Sequence, residues 1–295
     1  MLDLSHIPSQ QQQTYTFYAT GNWQTWNKPR NAKMIEIFCL GGGGGGGNNV
    51  LQGTAYGGSG GGGSAGIVRG IIPAFLLPDT LYILVGKGGA GGSIPGSQGV
   101  TGGISYIGLQ PSISEQTLIC KSSTAGPTGG GTAFAGGNPG AAATISVVTL
   151  SAFGNLGLFT AIAGVNGGAG GANTGTAGGS QNALGTNLTT GGAGGGGKSN
   201  TITAIGGRVN SASVILTTTV LGGLAEGQDG DNGYGTLQPF CGTGGAGGAS
   251  SIAGIGGRGG NGFYGCGGGG TGAGALAGSK AGDGGDGLVI ITVII

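Results

Sequence analysis

The sequence predicts an all-β to irregular fold in which β-strands are combined with packed polyglycine-II helices, with almost no α-helix. Glycine accounts for 82 of the 295 residues, about four times its ordinary share. Apolar, β-branched runs stand near both ends of the chain. No stretch keeps a 3.6-residue apolar spacing free of glycine for three turns, which an amphipathic helix requires. Together these features favour extended backbone throughout.

The clearest strand signals lie near the two ends of the chain. Residues 14–18, 33–40 and 288–295 are rich in β-branched and aromatic side chains, which favour strands. We expect these runs to pair and to close a single domain over 14–295, preceded by a polar arm over 1–13. Trp23 and Trp26 are expected to pack on these terminal strands, with sugar binding as the alternative. Shorter β-like pieces are predicted at 81–85, 104–107, 117–120, 144–150, 201–205 and 214–221.

A three-residue glycine period marks part of the chain. From 242 to 265 the sequence divides into triplets whose middle residue is never glycine, and the G-X-G form recurs at 86–91 and 282–287. Three residues per turn is the period of the polyproline-II helix, which forms no internal hydrogen bonds. Two of its faces would be bare backbone, so neighbouring helices can approach and exchange N–H to C=O bonds. Collagen is excluded because only nine prolines are present and 41–47 breaks its repeat.

Charge is scarce along the whole chain. Ten basic and nine acidic residues leave a net charge of +1, and there is one histidine. This charge gives no electrostatic footprint for nucleic acid or for an anionic membrane. His6 lies in the polar arm, where we expect it to be solvated, so most acid–base and metal chemistry lacks suitable residues. We therefore predict a non-enzymatic protein with no cofactor and no metal.

Neither a secretory signal nor a membrane span is predicted. The first 30 residues lack a basic segment followed by an apolar one, which a signal peptide would have. Residues 141–164 are uncharged but contain glycine, asparagine and hydroxyl side chains. A transmembrane helix needs about 20 predominantly apolar residues, so we expect strands buried in an assembly instead.

Three local patterns resemble binding motifs without meeting their requirements. The segment from Gly192 to Ser199 matches the phosphate-binding pattern GxxxxGK[ST]. Its flanks predict neither the preceding strand nor the following helix, so we attribute the match to chance. Residues 229–233 resemble the start of a calcium loop that lacks its twelfth-position ligand. Asp283 and Asp286 could share a cation between helices, although we favour surface carboxylates.

The four cysteines show no CxxC pair and no metal-ligand spacing. We expect them to be small buried hydrophobic residues, with one or two disulfides as the alternative. They are Cys39, Cys120, Cys241 and Cys266.

Aromatic residues are few, so a group of them among glycine and asparagine stands out. Rigid rings on a permissive backbone are typical of binding loops. We therefore predict a receptor-binding role for Tyr234, Phe240, Phe263 and Tyr264. The alternative is that these rings fill gaps among the glycine helices.

Three segments resemble the glycine-rich domain of phage tail-fibre and virion proteins. The opening motif comprises Phe17, Gly21-Asn22-Trp23, Trp26, Pro29 and the strand 34–40 that leads into 41–47. Residues 81–92 resemble the internal strand-into-glycine motif of that family, and 284–291 resemble its closing motif. The resemblance brackets 14–295 and implies a virion-exposed protein, in some members a receptor-binding tip. The sequence departs from the tail-fibre case in lacking a long shaft or assembly domain.

The resulting hypothesis is a phage virion structural protein on the particle surface, made in the host cytoplasm. It would be a tail-fibre tip, a head fibre or a capsid decoration with a host-attachment role. Expected partners are other virion proteins, a host surface glycan or protein, and further copies of the chain, with a trimer favoured. The alternatives are a subunit of an extracellular filament and an ice-binding protein. The flat face needed for ice binding is interrupted by Lys87, Arg258, Tyr264 and the two aspartates Asp283 and Asp286.

Overall fold

The computed structural model describes residues 12–49, 55–122, 158–183, 188–211, 216–237, 240–277 and 279–295. His6, residues 1–11 of the polar arm and the predicted strand 144–150 lie outside these residues. In the described part, regular structure is β apart from one 3-10 turn at Ala74–Leu76, which confirms the predicted fold class. The strands are β1 (Gln12–Phe17), β2 (Gln24–Asn27), β3 (Met34–Leu40), β4 (Ile67–Pro73), β5 (Thr80–Leu84), β6 (Tyr106–Gly108), β7 (Leu118–Lys121), β8 (Leu158–Ile162), β9 (Gln181–Ala183), β10 (Val209–Ser211), β11 (Gly235–Leu237), β12 (Phe240–Gly242) and β13 (Leu288–Ile294).

Two antiparallel sheets pack face to face at one end of the molecule. The larger has the order β1-β13-β3-β4-β8 and the smaller β2-β5-β6-β7. The terminal strands pair as predicted, with Gln12 opposite Ile294 and Leu288 opposite Leu40. Two small sheets, β9–β10 and β11–β12, complete the strands.

The core between the two large sheets follows from the alternation of side chains along each strand. Alternate residues of β3 and β13, such as Ile37 and Ile291, are buried in one cluster with Leu81 and Ile83 of β5. Trp26 is buried there and meets the Tyr15 ring of β1 edge-on at 5.9 Å, as predicted. The Trp23 ring contacts Tyr106 of β6, in the smaller sheet, at 6.4 Å.

Glycine-rich segments leave the two large sheets and return to them with hydrogen bonds that recur every third residue. Consecutive N–H groups of 42–48 point to three different neighbours in turn. Gly42, Gly45 and Asn48 donate to Gly103, Val100 and Ser97; Gly43 and Gly46 donate to Gly285 and Gly282; Gly44 and Gly47 donate to Gly63 and Gly60. This rotation is that of a three-residue helix whose bonds are all intersegment. We call these segments glycine helices.

Three central glycine helices, 192–198, 244–251 and 266–273, each hydrogen-bond to six neighbours. The neighbours of 244–251 are 193–196, 204–207, 222–227, 228–231, 257–260 and 267–273. Such spacing requires glycine, because a Cβ on Gly247 would lie 1.9 Å from the carbonyl oxygen of Gly194. The glycine helices therefore form a second, backbone-packed layer attached to the sheets.

Several strand predictions need correction. Residues 201–205 form no strand; Ser250 N–H donates to the Ala204 carbonyl and Ala204 N–H to Ser250 Oγ, which places the segment among the glycine helices. Of 214–221, the described residues 216–221 contain only an isolated bridge from Val220 to Val209. Neither strand β2 nor strand β4 was predicted. No helix in the described residues has the length and apolar character of a membrane span.

Candidate functional site: the distal loops

The turns between outgoing and returning glycine helices lie at the end of the bundle farthest from the two large sheets. This follows from the chain path: 86–92 leaves β5 and 97–104 returns to β6, and 266–273 lies beside 279–287, which returns to β13. We call six of these turns the distal loops: 93–97, 172–176, 199–203, 224–228, 251–255 and 274–277.

The distal loops expose aliphatic side chains. Five of the large exposed hydrophobic residues lie on them: Ile94 (68%), Ile202 (52%), Leu224 (59%), Ile255 (45%) and Leu276 (58%). The six loops contain no aromatic residue, and their only charged residue is Glu226. Exposed apolar groups that lie at the same end of a protein are typical of a contact surface.

Three of the four aromatic residues predicted to bind a receptor, Phe240, Phe263 and Tyr264, lie at the opposite end, where the glycine helices meet the larger sheet. Phe240 is only 3% exposed and lies 5.0 Å from the Phe38 ring and 6.5 Å from that of Phe263. Tyr264 contacts Phe263 at 5.0 Å. Burial raises the pKa of Tyr264. These three rings fill the junction between the glycine helices and the larger sheet.

Tyr234 also has a packing role. Its ring packs against the buried cluster of Val209, Val220 and neighbouring alanines, and its hydroxyl bonds to the backbone of Thr218. A receptor-binding role for these four aromatic residues stays a prediction.

The phosphate-like pattern from Gly192 to Ser199 lies in a central glycine helix. The N–H groups of residues 192 to 198 all donate to backbone carbonyls of neighbouring segments. They are therefore not available to a phosphate group. Lys198 is buried and its Nζ donates to the carbonyl of Ile252 at 3.1 Å.

The aspartates considered as cation ligands instead accept hydrogen bonds from backbone N–H groups of adjacent outer helices. Asp229 accepts from Arg258 at 2.7 Å, Asp283 from Gly91 at 2.7 Å, and Asp286 from Gly88 at 2.8 Å. These carboxylates accept hydrogen bonds from N–H groups that point outward at the edge of the bundle. Without the carboxylates these N–H groups would face water. In the described residues no three His, Cys, Asp or Glu side chains converge to hold a metal ion.

All four cysteines are buried thiols that form no disulfide, as the small-hydrophobe interpretation expects. The Cys39 Sγ donates to the carbonyl of Ser105 at 3.5 Å. A hydrogen bond with Cys39, together with burial, raises the pKa of the Cys120 thiol. Burial raises the pKa of the Cys266 thiol to about 12. Such thiols are poor nucleophiles because the thiolate is the reactive form.

Comparison with known proteins identifies the family. A family model described as a glycine-rich domain matches residues 18–293. The chain therefore belongs to this glycine-rich domain family. No curated protein matches the chain.

Proposed function

We propose that this member of the glycine-rich domain family is a phage virion surface protein that binds the host through its distal loops. The observation that carries the proposal is the position of five exposed aliphatic side chains on loops at one end of the bundle. The opposite end, where Gln12 and Ile294 are paired neighbours, would face the particle. The contact surface would thus lie at the end of the chain opposite to the end that attaches to the particle.

The three motifs that resemble phage tail-fibre and virion proteins support this assignment. Each motif spans a junction between a strand and a glycine helix: β3 into 41–47, β5 into 86–92, and 284–287 into β13. These junctions set the direction in which the bundle projects. Assembly as a homo-oligomer, with a trimer favoured, would add multivalency to individually weak loop contacts.

Binding of labelled, purified protein to a panel of bacterial strains tests the proposal. We expect wild-type protein to bind at least one strain, and Leu276→Asp and Leu224→Asp each to weaken binding about tenfold or more. Val100→Asp is the matched control, because Val100 is 56% exposed but lies on the side of the bundle. No binding to any strain, or equal losses in all three variants, would contradict the proposal. Freezing-point hysteresis would support the ice-binding alternative instead.

A further inference from the structure

The peptide groups of Ile252, in the distal loop 251–255, are held from both sides by charged side chains of other segments. Its N–H donates to Glu226 Oε1 at 2.6 Å, and its carbonyl accepts from Lys198 Nζ at 3.1 Å. The Ser251 hydroxyl donates to the same Glu226 oxygen at 3.0 Å. Three segments that are distant in sequence therefore meet at one loop residue.

Lys198 is the unusual member of this group. At 2% exposure it is the only charged residue that is buried in the described part of the chain. Its ammonium lies 5.0 Å from the centroid of the Tyr56 ring, and the backbones of Lys198 and Tyr56 exchange hydrogen bonds of 2.8 and 3.0 Å. Burial lowers the pKa of Lys198, an effect that the charge of Glu226 opposes. A buried ammonium is costly unless it is paired and hydrogen-bonded.

We propose that Lys198 and Glu226 are positioning residues that hold the loop 251–255 in the conformation that presents Ile255 for binding. The consequence for binding rests on the proposed function, whereas the ordering of the loop does not. A loop that is already ordered avoids the entropic cost of ordering on contact. Loss of either side chain therefore weakens host binding while the glycine helices stay packed.

The substitutions separate loop ordering from general stability. Lys198→Met keeps an aliphatic stem of similar length and removes the donor to Ile252. Glu226→Ala removes the acceptor, and Glu226→Gln keeps an oxygen that can accept from Ile252 N–H. Lys280→Met is the matched control, because Lys280 forms an exposed 2.8 Å ion pair with Asp283 on the side of the bundle.

Hydrogen–deuterium exchange of the full chain, measured by mass spectrometry, tests the inference. We expect Lys198→Met and Glu226→Ala to speed exchange in 251–255 about tenfold or more, which corresponds to about 1.4 kcal/mol. Glu226→Gln should have a smaller effect, Lys280→Met none, and 244–250 should stay as protected as in wild type. If Lys198→Met does not fold, the comparison of Glu226→Ala with Glu226→Gln tests the inference by itself.

Two results of the exchange experiment would overturn the inference: wild-type exchange at 251–255 in the variants, or an equal rise over 244–250, which would make both residues general stabilisers of the fold. The cell-binding assay is read separately. Wild-type protein that binds no strain contradicts the proposed function, while the exchange data still decide whether the loop is held. Binding that is unchanged in variants with a freed loop would contradict the positioning role.

Discussion

Replacing Gly195 by alanine tests the backbone packing of the glycine helices most directly. Gly195 lies in the central helix 192–198, and a Cβ there would lie 1.8 Å from the carbonyl oxygen of Thr271. Side-chain carbons essentially never approach such atoms within 3.0 Å, so the helices 192–198 and 266–273 must separate by about 1.2 Å. Both are enclosed by six neighbours, which leaves neither an empty space to move into.

The cost follows from the bonds that this separation breaks. Gly267, Gly270 and Ala273 donate to Thr190, Ala193 and Gly196 at 3.1, 2.9 and 2.9 Å. Lengthening these contacts by the required amount takes them beyond hydrogen-bonding distance. At about 1 kcal/mol for each bond, with about 1–3 kcal/mol for overpacking, we expect a loss of about 4–6 kcal/mol in the free energy of unfolding.

Urea unfolding followed by circular dichroism measures this loss, with Gly254→Ala as the control. A Cβ on Gly254 would meet only the Ser251 side chain, at 3.0 Å from its hydroxyl oxygen and 4.0 Å from its Cβ. That variant should stay within about 1 kcal/mol of wild type, because alanine also restricts the unfolded chain. Equal midpoints for the two variants would refute the close packing of the central helices.

Three further predictions concern the junction, the thiols and the bundle edge. Phe240→Ala should lower the free energy of unfolding by about 3–5 kcal/mol in the same urea assay, and a loss below about 1 kcal/mol would deny its packing role. Cys266, with a pKa of about 12, should resist alkylation by iodoacetamide in the native protein at pH 8, as read by peptide mass spectrometry; native labelling would contradict its burial. Asp283→Ala should lose about 1 kcal/mol more than Asp283→Asn, since asparagine keeps an oxygen for Gly91 N–H, and equal losses would argue against that bond.

Strands could be predicted from the sequence where apolar runs are continuous. They could not be predicted where the conformation depends on contacts with neighbouring strands. The runs that became β3 and β13 are almost entirely apolar and are buried in the larger sheet. β4 escaped prediction because Arg69, Gly70 and Pro73 interrupt its pattern. Glycine is required at position 70 because a Cβ there would lie 2.3 Å from the Phe159 ring of β8. This contact between strands cannot be recognised from the sequence.

The candidate site was harder to predict, because exposure depends on where the chain reverses. Aromatic residues are rare in this chain and therefore conspicuous, yet Phe240 begins β12 and packs against Phe38 of β3, which places it at the sheet end of the bundle. The distal aliphatic residues stand in turn contexts such as Ser-Ile-Pro-Gly at 93–96 and Leu-Ala-Glu-Gly at 224–227. An isolated isoleucine or leucine within a turn between two glycine runs is the signal that could have located this end of the molecule.

The residue between glycines also indicates whether a glycine helix is buried or lies at the surface, which the three-residue period alone does not. The regular triplets of 242–265 span two helices in different environments. In the central helix the middle residues are Thr243, Ala246 and Ala249, all buried. After the distal loop they become Arg258 and Asn261, both exposed. A helix with six neighbours has no space for a large side chain, so small middle residues mark the interior and long or charged ones mark the surface. Lys198 breaks this rule in a central helix, and it does so at the position where its ammonium reaches a distal loop.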